Sequence, residues 1–416
     1  MKVPYQRKVI NTLLERLSEL PRFLIFIAGP RQVGKTTLVR QALSTTDPQS
    51  FNFIAIDQPV SPTAMFTDET TREEDGSPRN TKWLIKIWED ARKAARKSTE
   101  RYILALDEIQ KLSGWSEVVK GLWDADRAEG LNLHIILLGS SPLLMQKGMS
   151  ESLAGRYELI KLTHWSFIEM VEAFNFDLTD YIYFGGYPGS ASLIRDETRW
   201  RNFVRESLIR PSIEKDILLM TRVDKPALLK QLFELSCKYS GQLLSYNKML
   251  GQLQDAGQSH TVTLAHYLDL LSGAGLVTGL QKYAGQAHRR RASSPKLNVL
   301  NTALMSLGSS YTKSEAMTDR SYWGRLVEST VGAHLYNTAN SDCDVYYWRD
   351  DTNEVDFIIT RGPKITLVEV KSGQTKAHVP GFEKFEKGFG QCRKIIVGDN
   401  GIPIIEFLSY PAEHWL

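Results

Sequence analysis

The sequence predicts an α/β protein of several domains, and three observations support this fold class. Apolar runs of strand length alternate with helical patterns along residues 1–164, as in a parallel sheet covered by helices. A helical region follows, and three strands in direct succession then occupy residues 344–371. With 416 residues, 42% of them hydrophobic, the chain has room for two to four domains of roughly 150 residues.

A glycine-rich loop joins the first predicted strand to a helix. The apolar run at residues 22–28 predicts a buried strand, and a helix begins near residue 37. The intervening GPRQVGKT has the spacing at which backbone N–H groups and a helix N-terminus bind phosphate. We predict an ATP and Mg²⁺ site here; the alternative is a glycine turn with a chance lysine. The predicted nucleotide-binding residues are Gly29, Pro30, Arg31, Gln32, Val33, Gly34, Lys35, Thr36 and Thr37.

Two acidic residues complete the predicted nucleotide site. The apolar strand that begins at Tyr102 ends in Asp107 and Glu108, at the sheet edge where parallel α/β proteins bind ligands. We expect Lys35 to contact the β- and γ-phosphates, and Thr36 and Asp107 to hold Mg²⁺. Glu108 would polarise the attacking water. The alternative is that the two carboxylates only cap a helix.

Two further side chains are catalytic candidates. A third apolar strand, at residues 134–138, precedes Ser140, which places a small hydroxyl group where a nucleotide-sensing residue would lie. Arg156 follows a glycine, and arginine commonly stabilises charge that develops on a transferred phosphoryl group. By sequence alone, an ordinary surface arginine fits position 156 equally well.

Together these motifs resemble the archaeal-type AAA-superfamily ATPases, which commonly carry a C-terminal domain of once-unknown function. The resemblance covers nearly the whole chain. It implies a P-loop AAA-type ATPase core at residues 1–164 and a helical lid at residues 165–222, and it favours Ser140 and Arg156 as site residues. It implies kinship with both DNA-processing and signalling NTPases and does not choose between them. The segments that carry it are GPRQVGKTT at 29–37, LDEIQ at 106–110, GSS at 139–141, LAGR at 153–156 and GGYP at 185–188.

The order of helical and strand patterns in residues 223–312 predicts a winged helix. Helical patterns at residues 227–238, 245–253 and 261–273 precede a strand at residues 275–283. In the third helix the spacing of the leucines buries one side, as in a helix that docks in a groove. The positions left variously exposed are Thr261, Thr263, His266 and Tyr267.

A run of three arginines follows that strand and would form the wing. We predict that Arg289, Arg290 and Arg291 contact the phosphates of DNA. The alternatives are a solvated loop tip and a joint between proteins, because winged helices serve both nucleic-acid and protein binding.

The last part of the sequence predicts a three-stranded meander with charged residues on one face. If the second hairpin is symmetric about its turn, Asp356 lies opposite Glu369 and Glu354 lies opposite Lys371. Facing carboxylates repel by up to about 1 kcal/mol, so we expect a divalent cation between them. Asp356, Glu369 and the carbonyl group of Val370 would bind Mg²⁺, and Lys371 would activate a water for phosphodiester attack.

Glu328 adds a carboxylate from the packing face of an upstream helix. With the meander it resembles the core of the PD-(D/E)xK nuclease superfamily, which implies a restriction-endonuclease-like α/β domain at residues 313–416 and Glu328 as a metal ligand. Val355 stands where the proline of that name would be. The alternatives are a surface hairpin with charges on its wet face, and a related domain that only binds DNA.

Charge and composition narrow the remaining choices. The net charge is +3 and the pI about 8.5, so any nucleic-acid surface is a local patch. The three cysteines, Cys237, Cys343 and Cys392, lack the spacing of a zinc site or a disulfide framework, and we expect a cytoplasmic protein. No apolar run reaches the length of a membrane span, so we expect no membrane partner. A homo-oligomeric ring would allow Arg156 to act on a neighbouring subunit.

The leading functional hypothesis is an ATP-hydrolysing protein that remodels or translocates DNA, with branched DNA a sensible substrate, coupled to a Mg²⁺-dependent endonuclease. The alternative from another class is a regulatory, STAND-like NTPase switch whose C-terminal domains bind proteins or DNA without cutting. A third hypothesis is ATP-gated defence against foreign DNA.

Overall fold

The computed structural model describes residues 5–56, 79–98, 100–139, 152–218, 223–253, 260–284, 293–371, 373 and 378–416. The chain divides into two compact units, Met1–Leu162 and Thr163–Leu416. The finer boundaries expected at residues 222 and 312 fall within the second unit and stay predictions. No helix among the described residues is long and apolar enough to cross a membrane.

The amino-terminal unit is built on a five-stranded parallel sheet. Its strands are β1 (Leu24–Ala28), β2 (Phe51–Ala55), β3 (Tyr102–Asp107), β4 (Leu133–Gly139) and β5 (Tyr157–Lys161). They lie in the order β2-β3-β4-β1-β5, and every neighbouring pair is parallel. All residues of β1 and β4 are buried, because helices cover both faces of such a sheet. The α/β fold class predicted for this region is confirmed.

Four helices pack on the two faces of this sheet. They are α1 (Ile10–Ser18), α2 (Lys35–Leu43), α3 (Thr81–Lys97) and α4 (Trp115–Glu129), with single 3₁₀ turns at Pro48–Ser50 and Ile109–Lys111. One core is rich in tryptophan, and the other packs α1 and α2 against the sheet. The fully buried carboxylate of Asp126 accepts hydrogen bonds from Trp88 and Arg92, which joins α4 to α3.

The carboxyl-terminal unit begins with helices. They are α5 (Phe167–Phe174), α6 (Leu178–Phe184), α7 (Glu197–Phe203), α8 (Pro226–Lys238), α9 (Tyr246–Gln252), α10 (Thr261–Gly273), α11 (Ala303–Gly308), α12 (Lys313–Thr318) and α13 (Arg320–Thr338). A 3₁₀ segment occupies Pro188–Leu193, and the backbone is π-helical over Val204–Ile209 and Ser212–Leu218. Side-chain capping boxes at Ser166 and Asp177 fix where α5 and α6 begin.

A short hairpin follows α8, α9 and α10. Its strands, β6 (Val277–Leu280) and β7 (Lys296–Val299), are antiparallel, and Leu243 forms an additional bridge to Lys296. Three helices and a hairpin therefore lie in the order expected of residues 223–312. The expectation that Tyr267 is exposed is wrong. Its side chain is only 2% exposed, and its hydroxyl group accepts a hydrogen bond from the backbone N–H of Lys225.

A four-stranded sheet ends the carboxyl-terminal unit. It contains β8 (Asp344–Asp350), β9 (Asn353–Arg361), β10 (Lys364–Lys371) and β11 (Arg393–Gly398), accompanied by α14 (Pro380–Phe389), α15 (Ile404–Leu408) and a 3₁₀ turn at Ala412–Trp415. The order is β11-β10-β9-β8, with β10 and β11 parallel. The predicted register of the second hairpin is confirmed from Lys364–Arg361 through Val368–Phe357.

Candidate functional site

The loop after β1 has a backbone shaped to bind an anion. Gln32 and Gly34 adopt left-handed conformations, with φ of 58° and 95°, on either side of the buried Val33. Alternation of this kind turns successive backbone N–H groups toward a common centre. Arg7 donates a hydrogen bond to the carbonyl oxygen of Val33 at 3.1 Å, which supports the loop from the amino-terminal side. Helix α2 begins immediately after Gly34, so its amino end faces the loop.

Gly29 opens this loop at a point where no side chain fits. A Cβ atom there would lie 2.1 Å from the carbonyl oxygen of Leu162, well inside van der Waals contact. The close approach arises because the backbone N–H of Leu162 donates to the carbonyl of Ala28 at 2.8 Å, continuing the pairing of β5 with β1. The first glycine of the motif is therefore required by packing against Leu162.

The lysine of the loop contacts carbonyl groups of the loop, and the threonine contacts the predicted acidic residue. Lys35 Nζ donates to the carbonyl oxygens of Gly29 and Pro30 at 2.9 and 2.8 Å, so the ammonium group lies inside the loop. Thr36 Oγ1 donates to Asp107 Oδ2 at 2.6 Å, although the two residues are 71 positions apart in sequence. Both Lys35 and Asp107 are buried.

Glu108 follows Asp107 in an unusual backbone conformation. Its φ is 59°, which is uncommon outside glycine and typical of residues whose geometry is constrained for function. Its carboxylate accepts a hydrogen bond from Gln110 Nε2 at 2.5 Å. Gln110 therefore orients the carboxylate predicted to act on water.

These residues fit a nucleotide with a divalent cation. The loop offers backbone N–H groups and one ammonium group to phosphate, and a hydroxyl and a carboxylate already touch where hard oxygen ligands are needed. Lys35, Thr36 and Asp107 come from the carboxyl edge of β1 and β3, with β4 between these strands. The fold thus brings together the predicted nucleotide-site residues that the structure describes.

The two other catalytic candidates of this unit have different outcomes. Ser140 lies outside the described residues. Arg156 immediately precedes β5 and its carbonyl accepts from Leu24 N, at the amino edge of the sheet. The phosphate loop follows the opposite, carboxyl edge, roughly 16 Å away for a five-residue strand. Arg156 forms a two-point ion pair with Asp124 at 2.7 and 3.0 Å, so it does not reach the loop of its own chain.

In the carboxyl-terminal unit, a lysine lies among the predicted metal ligands. Lys296 Nζ is 2.7 Å from Glu328 Oε1, 3.2 Å from Asp356 Oδ1 and 3.4 Å from Glu354 Oε1. The Lys296 side chain is fully buried and its ammonium group lies 4.9 Å from the Phe357 ring centre. Burial lowers the pKa of Lys296, but the carboxylates of Asp356, Glu328 and Glu354 raise it by more. The pKa therefore lies above its ordinary value, and Lys296 stays charged.

Glu369 and Lys371 form a separate pair beside this group. Lys371 Nζ contacts Glu369 Oε1 at 2.5 Å, and Val370 N donates to Asp356 Oδ2 at 2.9 Å. Burial, and next the neighbouring Asp356, raise the pKa of Glu369 to about 7. Glu369 Oε2 is buried and has no hydrogen-bond partner among the described residues. A proton on this carboxyl group would lower the cost of burying it.

The predicted Mg²⁺ site at Glu328, Asp356, Glu369 and Val370 is not assembled. Within the described ranges, no three His, Cys, Asp or Glu side chains lie together as a metal site requires. The repulsion that we expected between Asp356 and Glu369 is reduced by two ammonium groups, since Asp356 faces Lys296 and Glu369 contacts Lys371. The residues present therefore fit an ammonium ion better than a metal ion. Lys371 contacts Glu369, and no water-activating role follows from this geometry.

Lys296 is the residue of this cluster that the sequence patterns did not indicate. It belongs to β7, 32 positions before Glu328, in a strand of four residues that carries no recognised motif. A lysine at the first position of this short strand was the available signal, because a lysine that is buried needs an acidic partner. The arginines expected to contact DNA, Arg289, Arg290 and Arg291, lie outside the described residues.

Comparison with known proteins agrees with the geometry of the phosphate loop. Residues 21–171 match a family described as an AAA domain. The amino-terminal unit therefore resembles an AAA domain over most of its length, in agreement with its parallel sheet and phosphate loop. After this AAA domain, residues 175–313 match a domain of unknown function (DUF8612) and residues 323–407 match another (DUF4143). Neither description mentions a nuclease, so the nuclease assignment stays a prediction.

Relatives of similar sequence extend beyond the AAA domain. An uncharacterized protein of Haemophilus influenzae is 26% identical over 66% of this chain and 66% of its own length. An uncharacterized protein of Mycobacterium tuberculosis is 26% identical over 68% of this chain and 55% of its own length. One from Methanocaldococcus jannaschii is 24% identical over 89% of this chain and 79% of its own length. The aligned region thus covers between about half and four fifths of these relatives.

Among solved structures, the Walker-type ATPase of Pyrococcus abyssi aligns with a TM-score of 0.51 and 17% identity, covering 74% of this chain and 99% of that one. This similarity supports the ATPase fold of the chain. The Thermotoga maritima RuvB Holliday junction branch migration motor aligns at a TM-score of 0.31 with 16% identity, covering 65% of this chain and 86% of that one. A score this low carries no argument about the chain.

Proposed function

We propose that this protein hydrolyses ATP to drive a change in DNA held by its carboxyl-terminal unit. The hydrogen bond from Thr36 to Asp107, beside the ammonium group of Lys35, carries the ATPase part of the proposal. These groups come from two motifs distant in sequence, and a chance glycine turn would not bring them together.

Each residue has a role that follows from its chemistry. The bound cation, held by Thr36 and Asp107, would neutralise phosphate charge. Lys35 exchanges its contacts with loop carbonyls for phosphate oxygens, since the carbonyls offer only partial charge. Glu108, an ionisable carboxylate oriented by Gln110, accepts a proton from the attacking water. Ser140 is proposed as the residue that contacts the terminal phosphate.

The DNA part of the proposal rests on the order of elements after residue 223. Three helices, α8 to α10, precede the β6–β7 hairpin, which is the order of a winged helix. In the sequence, Arg289, Arg290 and Arg291 lie between β6 and β7, and they would neutralise phosphates. A four-way or other branched DNA is the substrate that we would test first.

The experiment is Mg²⁺-ATP turnover measured without nucleic acid and with single-stranded, duplex and four-way DNA. We expect one DNA form to raise turnover several-fold and the arginine triple variant, R289A with R290A and R291A, to lose that stimulation while keeping basal turnover. Lys35→Ala and Glu108→Gln serve as inactive controls. Equal turnover with every DNA, together with an unchanged triple variant, would reject the DNA part alone.

A regulatory NTPase switch is the second candidate, and two observations favour it. The exposed face of α10 presents Val262, His266 and Asp269. A DNA-binding helix would carry basic or amide side chains on this face, whereas Asp269 is acidic. The cluster around Lys296 also weighs against the endonuclease that the resemblance implied. Turnover that responds to a protein partner and ignores DNA would support this candidate.

A further inference from the structure

The carboxylate cluster of the carboxyl-terminal unit contains its own cation. Glu328 comes from α13 and Glu354 and Asp356 come from β9, while Lys296 comes from β7, outside the four-stranded sheet. The three carboxylates retain between 15% and 34% exposure, whereas the Lys296 side chain has none. The lysine thus lies on the buried side of the three carboxylates, within 3.4 Å of an oxygen of each.

We propose that Lys296 is the permanent cation of this cluster, and that the carboxyl-terminal unit is a metal-independent binding module and not a nuclease. The cluster of Lys296, Glu328, Glu354 and Asp356 then fastens the β6–β7 hairpin to α13 and β9. This inference concerns the carboxyl-terminal unit alone, and it stands or falls independently of ATP turnover.

The hydrogen-bonding capacity of Asp356 is the first argument. Its Oδ1 faces Lys296 Nζ at 3.2 Å and its Oδ2 accepts the backbone N–H of Val370 at 2.9 Å. Both oxygens therefore already face donors. A divalent cation on a remaining lone pair of Oδ1 would lie close to the Lys296 ammonium group, and like charges repel strongly in a poorly solvated site.

The position of Lys296 is the second argument. Its strand neighbours are buried, and its backbone bridges Leu280 and Leu243 on two sides. The ammonium group also lies over the Phe357 ring, an arrangement that attracts a cation. Withdrawing this side chain would break its contacts with α13 and β9 together and leave three partly buried carboxylates without their shared cation, which is unfavourable. The lysine is therefore a fixed part of the fold.

Mn²⁺ binding tests this inference. We would measure it on the full-length, nucleotide-free protein by calorimetry and by electron paramagnetic resonance, with Mn²⁺ as the only added metal. We expect the wild-type chain and Asp356→Asn to bind Mn²⁺ alike, so that no Mn²⁺ site depends on Asp356. Lys296→Met should gain one Mn²⁺ site, because it leaves the carboxylates without a cation. Lys313→Met is the matched control: Lys313 pairs with Asp180 at 2.7 Å and lies 3.8 Å from Asp177, away from the cluster.

Thermal unfolding and DNA cleavage keep the inference testable if Lys296→Met does not fold. Millimolar Mn²⁺ should shift the melting temperature of the wild-type protein and of Asp356→Asn equally. A wild-type chain that binds one Mn²⁺ ion or gains several degrees, with both effects lost in Asp356→Asn, would overturn the proposal. So would Mn²⁺-dependent DNA cleavage by the wild-type protein that Lys371→Ala abolishes.

Discussion

At the scale of single residues, the nucleotide site of the AAA domain contains side chains whose orientation is fixed by their neighbours. Glu108 follows Asp107 in a left-handed backbone conformation, and its carboxylate accepts a hydrogen bond from Gln110. Because Gln110 orients its carboxylate, we expect Glu108 to act on water and not to bind nucleotide. Binding and hydrolysis should therefore be separable at this residue.

We expect Glu108→Gln to bind ATP with near wild-type affinity while turnover falls at least about 100-fold, since the amide cannot accept a proton. Single-turnover hydrolysis and equilibrium binding of a fluorescent ATP analogue measure the two quantities. Lys35→Ala should instead weaken binding itself, because it removes the ammonium group inside the loop. A Glu108→Gln protein that hydrolyses ATP normally would exclude Glu108 as the base.

At the scale of elements, the phosphate loop depends on the pairing of β5 with β1. Leu162 ends this pairing and brings its carbonyl group against Gly29. The loop conformation is thus set by a strand that lies far away in sequence. A small change at Gly29 should disturb nucleotide binding through the backbone and not through charge.

Gly29→Ala is expected to lower the melting temperature and to weaken ATP binding at least about 10-fold, because a Cβ atom meets Leu162 O at 2.1 Å. The control is Gly121→Ala in the exposed interior of α4, where a Cβ atom meets nothing within 4 Å. That change should be neutral or stabilise by up to about 1 kcal/mol through helix propensity. Equal behaviour of the two variants in melting and binding would refute the steric argument.

At the scale of the whole molecule, each unit buries a histidine that resists protonation. Burial lowers the pKa of His134 in β4 and of His334 in α13 to about 4. His334 also bonds through Nε2 to the carbonyl oxygen of Tyr410 at 2.8 Å. Since the unfolded chain binds these protons at an ordinary pKa near 6.5, acid favours unfolding of both units.

Stability should therefore be unaffected by these histidines above pH 6.5 and should fall as the pH drops from 6.5 toward 4. At pH 5 each histidine should cost about 2 kcal/mol. Urea unfolding at pH 7 and pH 5 measures the difference, and His134→Gln and His334→Gln should each reduce it. His266→Gln, at an exposed position of α10, should leave it unchanged. A pH difference that neither buried variant alters would contradict the assignment.

Arg156 belongs to the same scale, because it lies at the edge of the sheet opposite the phosphate loop of its own chain. We propose that it acts on a neighbouring subunit of a homo-oligomer after leaving Asp124. Arg156→Ala and Lys35→Ala should each be inactive alone and regain part of the activity when mixed, since one supplies the loop and the other the arginine. Mixtures that stay inactive while both variants assemble normally would count against this role.

The sequence by itself determined the elements and the local motifs. The alternation of apolar runs predicted β1, β3 and β4 to within about two residues, and the GKT motif with Asp107 predicted the nucleotide site, because both depend on spacing along the chain. The symmetric turn predicted the register of β9 with β10. Tertiary structure decided what lies beside those elements. It separated Arg156 from the loop, buried Tyr267, and placed Lys296 among the carboxylates. Periodicity records which face of an element is buried, but the partner that a buried charge receives depends on the packing of distant segments.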